Sequence, residues 1–447
     1  MAGVGGTAGV GAGSGVRKFY QLSASERLDV LREQGVLGGV EEYEAFARAQ
    51  SHGILAPDVA AHLIENQVSQ YALPLGVVPG LRVNGREYTV PLVVEEASVV
   101  AAASNGARMT ARAGIHAESE LHRVLGEVVF LSDDVSADYA QEVIVSRETF
   151  LFARAEEALP SMHARGGGLE SLEVRATPDG RFTRILLTVN PCDAMGANAV
   201  NTISEALRAV FEDWFGAQAL VAILSNAGDD SVTTAEVELE PEDVAVRGMD
   251  PRALVERIAL LSELSQSDYL RAVTHNKGIM NGISSAVLAS GNDTRALEVS
   301  VHAFAARSGV GEGYQPLSTW TVLDNGHLFG RIRLPLQVGI VGGAASSIPL
   351  AKAARAMGAY GSITEFKNVL AALGLVQNLS AIRALAGPGI QAGHMNLQMN
   401  ALAIAAGASG EQIERIAAQL RALPASERTA ARARELVEQL NSSENGD

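Results

Sequence analysis

The chain has 447 residues, 47% of them hydrophobic, which is material for two or three domains with large cores. A formal charge of −16 argues against a protein that tracks nucleic-acid phosphates, and the single cysteine, Cys192, excludes an internal disulfide and a thiolate metal cluster. No run of 18 or more apolar residues occurs and the N-terminus lacks the apolar core of a signal peptide, so the expectation is a soluble protein of a reducing cytoplasm with no metal, membrane or nucleic-acid partner.

The first fifteen residues, MAGVGGTAGVGAGSG, offer almost no side chain to bury, and a disordered tail is expected over 1–16. SASERLDVLREQG reads as a capped helix, with Ser23 or Ser25 at the cap and Gly35 at its close. A second helix is expected from Pro57 to Gln67. Residues 87 to 103 begin with the period of a strand and change at Glu95–Glu96 to an Ala-rich helix. That carboxylate pair admits two readings: it complements the positive end of the helix, or one member faces a cleft as a proton donor.

Between 121 and 225 lies a self-contained pattern. A strand around Leu125 to Leu131 is followed by a helix from Arg147 to Leu159, then GGG at 166 to 168. SLEVRAT and RFTRILLTV flank Pro178-Asp179-Gly180, a hairpin turn. A helix from Asn198 to Phe215 and the strand ALVAILSN complete the order β-α-β-β-α-β, that of a ferredoxin-like unit. Within it, DAMGANAVNT (Asp193 to Thr202) sits where a strand gives way to a helix. Its small residues let a ligand approach backbone amides, although Asp193 also reads as a plain N-cap and Gly196 as a packing glycine. No G-x-G-x-x-G follows a strand, and GVGEG at 309 to 313 reads as a loop, so a dinucleotide would bind on another fold than the Rossmann one.

TTAEVELEPEDV is expected to be an edge strand with a solvated acidic face, and the rest of the chain mostly helical. RAVTHNKGIMNGISSAVLASGND, 271 to 293, sets Arg271, His275, Lys277, Asn281 and Asp293 among small and apolar residues. Buried charge needs a partner, and Lys277 and Asp293 are candidates to supply each other's; a lysine so held polarises a carbonyl and gives it a proton. The other reading has Lys277 solvated and Asp293 capping the amphipathic run Thr294 to Arg307. Gly339, Gly342 and Gly343 mark a turn after a strand. From about Gly387 the helices are short and Ala-rich with little core of their own, a candidate mobile flap. His394 in GIQAGHMNLQMN is either a structural residue at a helix start or a general acid on that flap.

ENQVSQYALPLGV at 65 to 77, PLVVEEASVVAAAS at 91 to 104, GGG, DAMGANAVNT, THNKGIMNG, GND at 291 to 293 and GIQAGHM ending at Met395 occur in one order. With these seven motifs the chain resembles, from about residue 20 to 420, the hydroxymethylglutaryl-coenzyme A reductase family in its soluble bacterial and archaeal class II. The resemblance implies an α+β fold with a large, mostly helical substrate domain (17–120 and 226–386). An inserted ferredoxin-like dinucleotide domain (121–225) and a C-terminal helical flap (387–447) complete it. It implies Glu96, Lys277, Asp293 and His394 as the catalytic set. Arg271, Ser98 and Asn281 would hold the hydroxymethylglutaryl group, and Asp193, Met195, Gly196 and Asn198 would contact the dinucleotide. The reaction implied is NADH- or NADPH-dependent reduction of hydroxymethylglutaryl-coenzyme A (HMG-CoA) to mevalonate and coenzyme A, or its reverse. A homodimer or higher oligomer with the site at the interface comes with it. Ala97 and Ser69 depart from the family's usual proline and glycine, and the residues after His394 lack its usual basic residue. Glu156–Glu157 is offset from the aspartate that selects NADH in some members, which leaves the nucleotide open. Two rivals are a thiolase-like acyltransferase, for which Cys192 has no histidine nearby in sequence, and a non-catalytic nucleotide-binding regulator, which would not need Lys277, Asp293 and His394.

Overall fold

A computed structural model describes residues 18–37, 39–52, 55–66, 68–229, 231–307, 313–342, 347–387 and 399–444. The expected tail, most of GVGEG, Gly343 and the GIQAGHM stretch with His394 lie outside the described residues.

The Ser23 hydroxyl accepts the Glu26 N–H and the Glu26 carboxylate accepts the Ser23 N–H, so α1 (Ala24–Glu33) begins with the reciprocal cap its sequence carries. α2 (Val40–His52) follows, unforeseen in the residue pattern, and then α3 (Pro57–Leu63). β1 (Leu75–Val83) and β2 (Arg86–Val93) form a hairpin whose two turn residues, Asn84 and Gly85, both have positive φ, the requirement of a tight right-twisting turn. The chain changes period after Glu96 as expected: Ser98 adopts a left-handed conformation and α4 (Val99–Thr110) begins. β3 (His116–Ser119) leads into the inserted unit.

That unit comprises β4 (Val124–Leu131), α5 (Ala137–Ser146), α6 (Glu148–Ala158), α7 (Pro160–His163), β5 (Gly168–Ala176), β6 (Phe182–Asn190), α8 (Ala197–Phe215) and β7 (Val221–Ser225). Its sheet runs β5-β6-β4-β7, antiparallel throughout, which is the ferredoxin-like order. Val128, Phe130, Ile185, Leu187, Ile203 and Phe211 bury completely between sheet and helices, so the unit has a core of its own.

β8 (Val232–Leu239) returns the chain to the large unit, followed by α9 (Pro251–Ser267), α10 (Tyr269–Ala289), α11 (Thr294–Arg307), β9 (Ser318–Val322), β10 (Leu328–Pro335), α12 (Pro349–Gly358) and α13 (Ile363–Ala386). The expectation of an edge strand at TTAEVELEPEDV is corrected: the sheet order is β3-β8-β10-β9, with β8 inside. Its acidic face is tolerated there because Glu236 pairs with Arg331 at 2.9 Å and Glu238 with His327 at 2.7 Å, while Val237 and Leu239 bury on the other face. α13 is long and apolar enough to cross a membrane by length and composition, yet 78% of its most apolar window is buried in protein, and it carries Lys367, Gln377 and Asn378 inside. It is the core helix of the large unit. Asn378 accepts bonds from the Trp320 indole at 2.7 Å and the Ser318 hydroxyl at 3.0 Å.

At the C-terminus α14 (described over 399–405), α15 (Glu411–Ala422) and α16 (Ala430–Glu444) bury Met399, Ala403, Ile416, Leu420, Val437 and Leu440 against one another. The expectation of little core is therefore corrected. Helices with only three or four apolar residues each become sufficient when three of them share one centre.

Candidate functional site

α10 and α11 are joined by residues 290–293 and, with the end of β2, wall a cavity of about 620 Å³. Lys277, Asn281, Ser284 and Leu288 recur at intervals of three and four on α10 and so present one stripe to it. α11 contributes Arg295, Glu298 and His302, and the segment after β2 contributes Glu95 and Glu96. Lys277 Nζ donates to Glu96 Oε2 at 3.0 Å, with side chains 62% and 45% exposed. An ion pair this wet contributes at most about 1 kcal/mol. It stands on the cavity wall and adds little to the fold.

Lys277 and Asp293 do not pair. Asp293 Oδ1 accepts the N–H groups of Arg295 at 2.9 Å and Ala296 at 3.2 Å and the Arg295 guanidinium at 3.4 Å, so it caps α11. Partial burial pushes its carboxyl up, but these bonds outweigh it and hold the pKa below the usual carboxylate range. The physical reason is that each is engaged elsewhere: Lys277, twelve residues before the end of α10, takes Glu96, and Asp293, beyond that end, takes the first N–H groups of α11.

Ser98 and Arg271 do not line the cavity. Ser98 follows Glu96 closely and its carbonyl starts α4, accepting the Ala102 N–H at 2.7 Å. Arg271 lies on α10 and has no ion-pair partner among the described residues. His275 is buried between Ser318 Oγ at 2.7 Å and Ser265 Oγ at 3.3 Å; burial, then the Arg271 charge, lowers its pKa to about 4. It is a core histidine.

Three cavity residues escaped the sequence pattern. Ser284 donates to Glu298, Glu298 Oε2 lies 3.0 Å from His302 Nε2, and His302 Nδ1 lies 2.6 Å from the Tyr314 hydroxyl. Burial raises the Glu298 carboxyl, yet the bonds from His302 and Ser284 hold it below its usual range. Glu298 and His302 stand at i and i+4 of an amphipathic helix, and nothing in that spacing marks them out.

The Asp193–Thr202 stretch turns at Gly196, whose φ of +102° suits glycine; a Cβ there would also meet Val124 Cγ2 at 2.8 Å and Pro191 Cβ at 2.9 Å. No side chain caps α8, so its leading N–H groups are free to meet a phosphate or ribose oxygen, with Met195 half-buried and Asn198 exposed beside them. Asp193 does not cap α8. Its Oδ1 accepts the Ile363 N–H at 3.0 Å, at the start of α13, and its carbonyl accepts the Ile340 N–H at 2.8 Å. His122 Nε2 donates to the Ala194 carbonyl at 2.9 Å; burial first, and the nearby Lys367 second, lower this imidazole to about 4. A second cavity, about 490 Å³, opens in the same unit beside Gly166–Gly168, with Glu156, His163 and Asn190 in its wall.

The fold and this site have counterparts among known proteins. Residues 23–399 match the family model described as hydroxymethylglutaryl-coenzyme A reductase. The chain is 37% identical over 400 residues to the 3-hydroxy-3-methylglutaryl-coenzyme A reductase of Archaeoglobus fulgidus, covering 89% of this chain and 88% of that one. A probable enzyme of the same name from Borreliella burgdorferi is 36% identical over 345 residues, covering 77% of this chain and 78% of that one. A solved reductase of Streptococcus pneumoniae superposes with a TM-score of 0.78 at 37% identity, covering 94% of this chain and 99% of that one. A class II structure of that organism bound to NADPH superposes with a TM-score of 0.77 at 38% identity, over 83% of this chain and 99% of that one. The helical unit with its inserted ferredoxin-like sheet thus defines an oxidoreductase of mixed helix and sheet. The chain belongs to the hydroxymethylglutaryl-coenzyme A reductase family, in its bacterial and archaeal class.

Proposed function

We propose that the chain reduces HMG-CoA to mevalonate and coenzyme A through Glu96, Lys277, Asp293 and His394. The observation that carries this is the convergence of Lys277, Glu96 and Asn281 on one open cavity. Two nicotinamide nucleotides bound in succession, NADPH as in the S. pneumoniae relative or NADH, would each supply one hydride, the first to the thioester carbonyl carbon and the second to the aldehyde carbon. The uncapped start of α8, with Asp193, Met195, Gly196 and Asn198 about it, suits the polar groups of such a nucleotide. Lys277 stabilises the negative oxygen that each transfer builds, and Glu96 donates the proton to it. His394 protonates the departing coenzyme A thiolate. Asn281 orients the acyl group from the cavity wall, and Ser98 and Arg271 take its distal end, Arg271 by pairing with the free carboxylate.

We infer that the working form is at least a dimer. Leu260 and Leu264 on α9 and Tyr269, Leu270 and Val273 on α10 are exposed and supply apolar surface for a second copy. The unpaired Cys192 fits a reducing cytoplasm.

Purified protein is expected to oxidise two NADPH per HMG-CoA consumed and to release one thiol, with Lys277→Ala losing both hydride transfers. One NADPH per HMG-CoA with accumulating aldehyde refutes the two-step reading. Oxidation that does not depend on the thioester refutes the substrate.

A further inference from the structure

The nucleotide turn and the turn that carries Asp293 belong to different units, yet one side chain joins them. Asn292 Oδ1 accepts the Gly339 N–H at 2.7 Å, and Asn292 Nδ2 donates to the Gly339 carbonyl at 2.9 Å and to Ser290 Oγ at 2.9 Å. Gly339 is in turn the point on which the nucleotide turn rests. A Cβ at this glycine would lie 2.3 Å from the Met195 nitrogen and 2.8 Å from the Ala194 carbonyl carbon. The next residue, Ile340, donates its N–H to the Asp193 carbonyl at 2.8 Å, and Val341 pairs with Ala194 as an isolated bridge. Three layers are therefore in contact: the α10–α11 turn, the backbone at Gly339, and Asp193–Met195.

We propose that Asn292 is a positioning residue for hydride transfer. By gripping both backbone polar groups of one residue, its carboxamide fixes how far the Asp193–Gly196 turn stands from the groups that receive charge on the substrate. An amide suits this because a donor and an acceptor must sit side by side; aspartate keeps only the acceptor and leaves the Gly339 carbonyl facing a carboxylate. The inference rests on the reading that this turn holds the nicotinamide nucleotide.

The experiment compares wild type, Asn292→Ala, Asn292→Asp and Gly339→Ala in a stopped-flow single turnover at saturating NADPH and HMG-CoA, repeated with NADPH deuterated at the transferred position. NADPH dissociation constants are measured separately by fluorescence. Asn292→Ala is expected to slow the isotope-sensitive phase about 10- to 100-fold, as for a misplacement on the order of 1 Å, with NADPH affinity within about threefold of wild type. Gly339→Ala, which pushes on the same contact from the other side, is expected to do the same, and Asn292→Asp to fall between. A wild-type rate in Asn292→Ala, or a loss explained by weaker NADPH binding alone, overturns the proposal. If Asn292→Ala does not fold, Asn292→Asp and Gly339→Ala decide by the same criterion. If Gly196→Val leaves NADPH binding intact, it is the nucleotide-site reading that fails and not the grip.

Discussion

Lys367 is fully buried in the core helix, its ammonium held by Ser231 Oγ at 2.9 Å and the Ser231 carbonyl at 3.4 Å. Burial lowers its pKa from 10.5 to about 8, with the nearby Glu120 opposing the drop. At about 1.4 kcal/mol per pH unit, that displacement costs the folded state about 3 kcal/mol wherever the lysine is charged in both states. The sign follows from proton counting. Between pH 8 and 10.5 the unfolded chain holds more protons at this site than the folded one, so stability rises with pH across that window and the full cost stands below it. Lys367→Met fills much the same space without the charge, and loses the bond to Ser231, about 1 kcal/mol. The variant is therefore expected to be about 2 kcal/mol more stable than wild type at pH 7 and about 1 kcal/mol less stable at pH 10.5. Urea unfolding at matched protein concentration, at pH 7, 9 and 10.5, measures the difference, and groups common to both chains cancel. A difference that keeps one sign and one size across that range refutes the reasoning.

His394→Ala is expected to cost about 10²- to 10⁴-fold in reduction of the thioester while reduction of added mevaldehyde, which expels no thiol, suffers much less; equal losses on both substrates remove the general-acid role. His275, buried with a pKa lowered from 6.5 to about 4, takes up its proton more readily unfolded than folded, so the stability it allows is full above pH 6.5 and falls toward pH 4 by about 3 kcal/mol. His275→Gln should flatten that part of an acid unfolding curve, and an unchanged slope counts against it.

What was legible in the sequence is what local chemistry decides. The Ser23–Glu26 cap, the Asp179-Gly180 turn and the change of period at Glu96 each depend on residues within a few positions of one another, and each appears where expected. The ferredoxin-like order followed because short strands and helices in that sequence admit few right-handed arrangements. The interior place of β8 was not legible, since its second partner β10 enters about ninety residues later and brings the arginine and histidine that make an acidic strand tolerable inside a sheet. Likewise the shared centre of α14, α15 and α16 depends on which faces meet, and short Ala-rich segments do not announce that.

The site shows the same division at closer range. Helical arithmetic alone places Lys277, Asn281, Ser284 and Leu288 on one stripe, so a lysine and an amide facing a common space was within reach of the sequence. Asp293 lies past the end of α10, where that arithmetic stops, and the partner the lysine takes is Glu96, 181 positions earlier in the chain. A pair so exposed contributes little to folding, so stability does not account for it. Asn292 is the converse case. It lies inside a recognisable motif beside a candidate catalytic carboxylate, yet its contacts run to the backbone of a glycine 47 positions on, where no side chain exists to mark the partner. Side chains that act on backbone leave no second residue type for a pattern to find, so a structure is what reveals them.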